Sequence, residues 1–230
     1  MIKTAQTFPI FSTKTYLLAA VLPPALLIAV TLIQTSYPIQ YLYMDPITAA
    51  ELAFKRTDAP SEHTFRMLFG SVSILGSLVW FSAITPLLLA AAENIRAGSA
   101  VLARTLLVGA TLTAILVTDD AFLVHEKADD IIENADLVLF GLYALFGCLY
   151  LWRLLSRHRG QFPPLLLLLA LSCFALSILA DLIWHGGHRG PAILFEDAPK
   201  LFGVFAWTAF HFGFAHSALV SRGLRGPGNA

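Results

Sequence analysis

The sequence predicts an all-α fold, a polytopic membrane helix bundle of six transmembrane helices with both termini in the cytoplasm. Three observations support this prediction: a high apolar content, six apolar runs of membrane-spanning length, and an uneven distribution of charge between the two ends of those runs. Of the 230 residues, 57% are hydrophobic and 13% are charged, and the mean hydropathy is +0.71. Because a water-soluble domain carries about 25% charged residues, this composition excludes an ordinary globular core and shell.

The six predicted spans follow from length. A helix that rises about 1.5 Å per residue needs about 20 apolar residues to cross about 30 Å of hydrocarbon. We treat residues 1–230 as one transmembrane domain with a long outer loop after the first span. The predicted spans are approximately 16–34, 67–92, 103–124, 136–152, 164–184 and 201–220, and the outer loop is 35–66.

The first span could be mistaken for a cleaved signal peptide, and both of the first two spans contain prolines. The first follows Lys3 and Lys14 as a signal peptide would, but it is longer than a signal-peptide core and is followed by no small-residue cleavage pattern. We therefore expect an uncleaved anchor. Pro23, Pro24 and Pro86 are expected to kink their helices, because proline removes a helical hydrogen bond.

The third span ends in a polar segment. If its helix continues to Glu133, the 100° step per residue puts Asp119 and Glu126 in one stripe, whereas Asp120 and His125 point elsewhere. The two cysteines, one in the fourth span and one in the fifth, are expected to be small buried hydrophobes.

The sixth span carries His211 and His216 among aromatic residues. A neutral His211 is expected to bond to Ser73, Ser77 or Thr113 on a neighbouring span. A haem held by two histidines would need a second histidine at the same depth on another span, and no other span offers one. Haem is therefore not predicted.

The charges predict the orientation. One side of the predicted bundle carries nine Lys and Arg residues with a single acid, Glu93, and the other side carries six cations with the remaining fourteen acids. The positive-inside rule places the first side in the cytoplasm and predicts a multi-pass protein of the cell (inner) membrane, in contact with the lipid bilayer. Since the overall formal charge is zero, a basic nucleic-acid binder is excluded.

Acids and histidines from three spans converge at the outer boundary. They come from the ends of the third and fifth spans and from the start of the sixth. Carboxylate and imidazole together suit zinc, iron or manganese, and a metal-bound water could hydrolyse an ester or amide of a lipid or small amphiphile. The candidate metal ligands are Asp120, His125, Asp181 and His185. Glu126 and Glu196 are the candidates for a general base or for a hydrogen-bond partner that orients a ligand.

Two alternatives stay open beside this hypothesis. Ionised carboxylates near the hydrocarbon cost about 2.5 to 3.5 kcal/mol unless they are paired. Asp119, Asp120 or Asp181 could therefore instead form a structural ion pair with Lys127, Arg189 or Lys200. The protein could also be a non-enzymatic subunit, whose acidic outer face docks a basic partner while the aromatic sixth span packs against another protein or a pigment. The sequence does not decide whether the chain is an enzyme.

The chain also resembles a group of bacterial six-span membrane proteins of uncharacterised function, from Asp45 onwards. The elements that carry this resemblance are Asp45-Pro46, Ser73-x-x-Gly76 with Trp80, Asp119-Asp120-x-Phe122-x-x-His125-Glu126, and Glu196-Asp197-x-x-Lys200-x-x-Gly203 with Trp207. A fainter resemblance is to the ceramidase-like membrane hydrolases, which implies a zinc amidase site. The chain departs from that pattern, because His211 and His216 are five residues apart rather than four and the histidine of the second family element is missing.

Overall fold

The computed structural model describes residues 13–34, 39–44, 70–129, 131–158, 164–183 and 193–223, and these residues form helices joined by short turns. The helices are α1 (Thr13–Ile33), α2 (Gln40–Tyr43), α3 (Ser71–Ser82), α4 (Ile84–Arg96), α5 (Ala100–Phe122), α6 (Val124–Asp129), α7 (Ala135–Arg157), α8 (Leu165–Ile183) and α9 (Ile193–Gly223). The all-α prediction is therefore confirmed for the described residues. The predicted outer loop 35–66 lies outside them except for 39–44.

Five segments are long and apolar enough to cross a membrane. They are Lys14–Ile33, Ser71–Arg96, Ala100–Phe122, Ala135–Arg157 and Leu165–Ile183. They correspond to the first five predicted spans, and they make the chain a multi-pass membrane protein in contact with lipid. The sixth predicted span corresponds to α9, which has 31 residues but is not among these five.

Helix α9 lies at the centre of the bundle and packs against α1, α3, α4 and α8. Its large aromatic side chains Trp207, Phe210 and Phe214 are at most 2% exposed and form much of the hydrophobic core. This chain itself buries these three aromatics, whereas Phe212 of the same helix is 43% exposed, so packing of the sixth span against another protein or a pigment stays a prediction. The surrounding helices instead expose their outer apolar faces, as expected for side chains in contact with lipid.

The proline of the second span interrupts its helix, as predicted. The segment divides into α3 and α4 at Ala83, three residues before Pro86. Proline has no N–H to donate to the carbonyl of Ser82, four residues back. At the same break, the Ala83 N–H bonds to the Trp80 carbonyl, three residues back rather than four, at 3.1 Å. Helix α1, in contrast, continues through Pro23 and Pro24.

The start of α3 is held by α2. The Gly70 N–H donates to the Tyr41 carbonyl at 2.8 Å, and Gly70 has φ 67°, which favours glycine. Tyr43 is 2.9 Å from the Thr31 hydroxyl, which itself donates to a carbonyl of α1. Burial raises the pKa of Tyr43, so its hydroxyl is protonated and donates to Thr31. These bonds tie α1, α2 and α3 together.

A hydrogen-bonded group of side chains fills the middle of the bundle. His211 Nδ1 donates a hydrogen bond to the Trp207 carbonyl at 2.8 Å. Nε2 of the neutral ring is therefore an acceptor, and it accepts a hydrogen bond from the Tyr150 hydroxyl at 3.2 Å. The Trp207 indole donates to Thr113 at 2.9 Å. The predicted partners of His211 were wrong: Thr113 belongs to the group but bonds to Trp207. Both ring nitrogens of His211 are engaged within this chain.

The cysteines differ from the prediction. Both are free thiols, but Cys148 on α7 is exposed and Cys173 on α8 is partly exposed. Helix α7 has the smallest buried share of the five candidate spans, which explains the exposure of Cys148.

Candidate functional site

A break in the helix after the third span creates the first part of the candidate site. Helix α5 ends at Phe122, and Leu123 takes a left-handed conformation with φ 52° and ψ 44°. The Leu123 N–H bonds back to the Asp119 carbonyl, and α6 starts at Val124 in a new direction. The continuous helix considered for this segment is therefore wrong.

This break places His125 against Asp119. Asp119 Oδ1 accepts the backbone N–H of His125 at 2.8 Å, and Asp119 Oδ2 lies 2.9 Å from Nδ1 of the same residue. An ionised carboxylate only accepts hydrogen bonds, so Nδ1 carries the proton in this contact. Any chemistry that needs an unprotonated ring nitrogen would use Nε2. The ring also packs on Phe140 of α7 at 4.9 Å, and the Tyr143 hydroxyl interacts with the Asp119 carboxylate.

An ion pair joins α5 to α9 beside this histidine. The Lys200 ammonium contacts Asp120 Oδ1, and their side chains are 32% and 10% exposed. The other oxygen, Oδ2, lies 3.3 Å from the Ser77 hydroxyl of α3, whose single proton is shared between this carboxylate and the Ser73 carbonyl at 3.1 Å. Three helices therefore meet at the Asp120 carboxylate. The structural pairing that was weighed for Asp120 is confirmed, with Lys200 as the partner.

The Asp119–His125 and Asp120–Lys200 pairs both line one large cavity of about 350 Å³. Helices α3, α5, α7, α8 and α9 form its walls, with His125 of α6 at one end. The walls are mostly aliphatic and aromatic side chains. The carboxylates and the lysine lie at the ends of α5 and α8 and at the start of α9, next to His125 of α6. We name this polar region the acidic end; its residues are Asp119, Asp120, His125, Asp181, Glu196 and Lys200.

The composition of the cavity has two chemical consequences. Its volume is in the range of small-molecule sites, which are about 300 to 1,000 Å³, and a mostly apolar lining with a few polar groups is typical of them. Among its described lining residues, four carboxylates face a single lysine. The acidic end therefore has excess negative charge and favours a cationic or proton-donating group.

A second, small cavity lies behind the ion pair. It has a volume of about 30 Å³, room for about one water molecule, and Tyr43, Ser73, Asp120, Asp197 and Lys200 contribute to its lining. The Asp120–Lys200 pair lines both cavities and so stands between them.

Most of the predicted site residues that the structure describes share the large cavity. Asp120, His125, Asp181 and Glu196 all line it. Glu126 belongs to α6, but its side chain lies outside the description, and so does the whole of His185. Within the described part of the chain, no group of three or more His, Cys, Asp and Glu residues is placed to hold a metal ion.

Sequence reasoning missed Tyr143 and Trp80, which line the cavity, and it missed the pairing of Asp119 with His125. Asp119 was separated from His125 by the assumption of a continuous helix, and no glycine or proline signals the turn at Leu123. Tyr143 lies in the fourth span, which contributed none of the acids and histidines used to predict the site. Trp80 was noted only as part of a sequence motif, yet it lines the cavity.

Trp80 contributes a buried aromatic ring to the cavity wall. The residue is 4% exposed and stacks on Phe174, with ring centroids 5.0 Å apart. Its indole Nε1 has no hydrogen-bond partner within the part of the chain that the structure describes. A buried polar group of this kind usually has a partner, because leaving it unsatisfied costs about 1–3 kcal/mol.

Comparisons with known proteins place the chain in a family. No curated protein and no solved structure matches it. The model of a domain of unknown function (DUF8692) matches residues 16–214, which include every described residue that lines the large cavity. The chain therefore belongs to the DUF8692 family.

Proposed function

We propose that this protein binds a single-chain amphiphile or lipid in the large cavity, with the polar head of the ligand at the acidic end. The observation that carries the proposal is the combination, in one cavity of about 350 Å³, of apolar walls with a cluster of carboxylates, imidazole and ammonium at one end. An amphiphile has the same division along its length. The hydrocarbon chain of the ligand would contact the apolar walls in place of bilayer lipid, and its polar head would bind the polar groups.

The excess of carboxylates favours a cationic head. Among the described residues, the cavity lining includes one lysine, Lys200, and four carboxylates, those of Asp119, Asp120, Asp181 and Glu196. At low local dielectric a cation is attracted by this excess, whereas an anionic head would be repelled.

Entry from the bilayer is supported by the position of α7. This helix contributes a large part of the cavity wall and packs sparsely on α8. An amphiphile dissolved in the bilayer could therefore reach the cavity between α7 and α8 without crossing the protein core.

The proposal includes α9 as a sixth span, both termini in the cytoplasm and the acidic end on the outer side. Its support is the charge distribution under the positive-inside rule. Single cysteines replacing Glu133 near the acidic end and Ala97 at the opposite end, in a Cys148→Ser/Cys173→Ser background, test it. In intact cells a membrane-impermeant maleimide should label position 133 and spare position 97, and the reverse pattern would exclude this orientation.

The native cysteines test ligand binding directly. Cys148 lines the cavity and Cys173 is not among its lining residues. In lipid nanodiscs, dodecyltrimethylammonium should slow the modification of Cys148 by N-ethylmaleimide at least about fivefold and leave Cys173 unchanged. Dodecanoate, which has the same chain length and an anionic head, should protect weakly. Equal protection by both amphiphiles would reject the cationic-head preference, and no protection by either would reject the proposed function.

A pair of alanine substitutions provides a matched steric test. Ala144 lines the cavity, whereas Ala19 is an exposed alanine on α1 away from it. Ala144→Phe should occupy part of the cavity and weaken dodecyltrimethylammonium binding about tenfold or more, and Ala19→Phe should leave it unchanged. Native mass spectrometry of the nanodisc-released protein measures both. Unaltered binding to the Ala144→Phe protein would place the ligand elsewhere.

A metal-dependent hydrolase is the second candidate, and the Asp119–His125 contact is the observation that favours it. Histidines that bind metals through one nitrogen commonly donate the other N–H to a carboxylate. His125 Nδ1 donates to Asp119 in this way, and Asp120 and Asp181 line the same cavity as possible ligands. In this proposal His185 completes the zinc, iron or manganese site, and Glu196 or Glu126 acts as general base for a water attacking an ester or amide.

Elemental analysis tests the metal proposal. Protein purified without chelators should contain about one equivalent of zinc, iron or manganese, and both His125→Ala and His185→Ala should reduce it below about a tenth. If wild-type protein lacks stoichiometric metal even after dialysis against each ion, the metal proposal is wrong and the proposed amphiphile site is unaffected.

The subunit alternative predicts a different result in purification. A partner present in a fixed ratio after extraction in mild detergent would favour a structural subunit. If the protein purifies alone and binds the cationic amphiphile, it does not need a partner subunit for binding.

A further inference from the structure

Three arginines lie at the end of the bundle opposite the acidic end. Arg153 and Arg157 are in the last turns of α7, and Arg104 is near the start of α5. We propose that these residues, the arginine cluster, bind the phosphate of an anionic phospholipid whose acyl chain lies along α7. The proposal is independent of the amphiphile site, because Asp120 at the acidic end is about 24 Å from Arg104 along α5.

A buried threonine holds Arg153 in place. Its Nε donates to the Thr105 hydroxyl at 2.9 Å, and Thr105 is 0% exposed. The same hydroxyl lies 3.0 Å from the Val101 carbonyl of its own helix and 3.1 Å from His158 Nε2, so its position is well defined. The remaining guanidinium donors, on the two Nη atoms, have no partner within the part of the chain that the structure describes. Such a pair of Nη groups matches two oxygens of a phosphate.

The positive charge of the arginine cluster is not neutralised by the described residues of this chain. None of their carboxylates pairs with Arg104, Arg153 or Arg157. The acid predicted for this end, Glu93, pairs instead with Arg96 at 2.7 Å. Residues four apart on a helix are neighbours, with Cβ atoms about 5–6 Å apart, so the two arginines of α7 repel each other. An anion bound between them would relieve this repulsion.

The surroundings of the arginine cluster favour a lipid over a soluble phosphate. From Arg157 and Arg153, steps of four residues along α7 lead to Leu149 and Leu145, which are 48% and 52% exposed. The described lining of the large cavity includes neither leucine, so this face of α7 is separate from the cavity. Trp152, next to Arg153, is 67% exposed, as is typical at the headgroup level. A phospholipid fits this row, with its phosphate at the arginines and an acyl chain along the leucines.

Two lipids that differ in the charge of the head test this inference. Dioleoyl phosphatidylglycerol and dioleoyl phosphatidylcholine have the same acyl chains and a phosphate, but only the first has a net negative charge. Native mass spectrometry of the full-length protein in detergent, titrated with each lipid, measures both dissociation constants. Wild type should bind phosphatidylglycerol at least about tenfold more tightly, and Arg157→Gln should reduce this preference about fivefold, the value for one arginine near an anionic lipid. Arg157 is exposed, so this change does not disturb the core.

Thr105→Val tests whether Arg153 is positioned by the threonine. Valine has a similar shape and leaves every arginine in place, but it removes the acceptor of Arg153 Nε. The preference for phosphatidylglycerol should fall about threefold, because the released side chain must be ordered when the lipid binds. A change in stability alone would affect both lipids alike and leave the preference unchanged.

Arg96→Gln is the control for charge. It also removes one cation from this end, but Arg96 pairs with Glu93 and is 73% exposed, so the preference should change less than about twofold. Glycerol phosphate, which is the head without the chains, should not displace the bound lipid. Equal binding of the two lipids by wild type, or equal losses in Arg96→Gln and Arg157→Gln, would show that the arginine cluster is not a specific site. Displacement by glycerol phosphate would assign the cluster to a soluble phosphate and overturn the lipid.

Discussion

Replacing Lys200 with methionine is expected to destabilise the protein by about 2–3 kcal/mol. The change leaves the Asp120 carboxylate, which is 10% exposed, without its cation, and breaking a buried pair costs about 3–5 kcal/mol. The lower value reflects the 32% exposure of the lysine. Unfolding monitored by circular dichroism as sodium dodecyl sulfate displaces a mild detergent measures the effect.

The double variant separates charge from packing. Asp120→Asn added to Lys200→Met removes the stranded charge, so it should recover more than half of the lost stability. Arg96→Met is the matched control, because Arg96 also pairs with an acid, Glu93, but is 73% exposed, and we expect a change below about 0.5 kcal/mol. Wild-type stability of the Lys200→Met protein would show that this pair does not hold α5 to α9.

Replacing Gly109 with alanine should destabilise the protein by about 2 kcal/mol. A Cβ at this position would lie 2.5 Å from the Tyr150 hydroxyl oxygen and 3.2 Å from His211 Nε2, the two atoms of a buried hydrogen bond. Overpacking of this kind costs about 1–3 kcal/mol. Alanine has a higher helix propensity than glycine, which by itself would stabilise the variant by up to about 1 kcal/mol. A net loss of stability would therefore come from the steric contact. Thermal unfolding in detergent gives the difference.

Gly141 is the control for this substitution. It also lies within a long helix, but nothing lies within 4 Å of a Cβ at that position. Gly141→Ala should therefore leave the stability unchanged or raise it slightly. Adding Tyr150→Phe to Gly109→Ala removes the closest atom and should restore part of the loss. If Gly109→Ala were as stable as wild type, α5 and α7 would not approach each other as closely as the structure has them.

The helices themselves were largely predictable because they depend on local sequence. An apolar run of about 20 residues has few alternatives to a membrane-crossing helix, since the bilayer offers no partner for backbone groups. The run from residue 67 to 92 thus corresponds to Ser71–Arg96, and its proline marks the break. Helix ends were predicted less well: α9 begins at Ile193, whereas the sixth span was placed at about 201–220, because apolar length alone set its bounds.

The candidate site was predictable in location but not in its pairings. Alternating helix directions required the polar ends of three spans to lie at one boundary, and Asp120, Asp181 and Glu196 do line one cavity. The partner of each group depends on distances of a few ångströms. The pairing of His125 with Asp119 results from a left-handed Leu123, a conformation that costs a non-glycine residue about 1–2 kcal/mol and that no local pattern announced.

The sequence alone was therefore sufficient to establish a multi-pass helical membrane protein with acids and histidines gathered at one end. The reason is that the apolar length of each span, and the alternating direction of successive spans, can both be read along the chain. The tertiary structure decided which carboxylate meets Lys200, which meets His125, and that a cavity remains beside α7. These depend on how side chains from distant segments fill space and satisfy hydrogen bonds together. For the same reason only the structure revealed Trp80 and Tyr143 in the cavity wall.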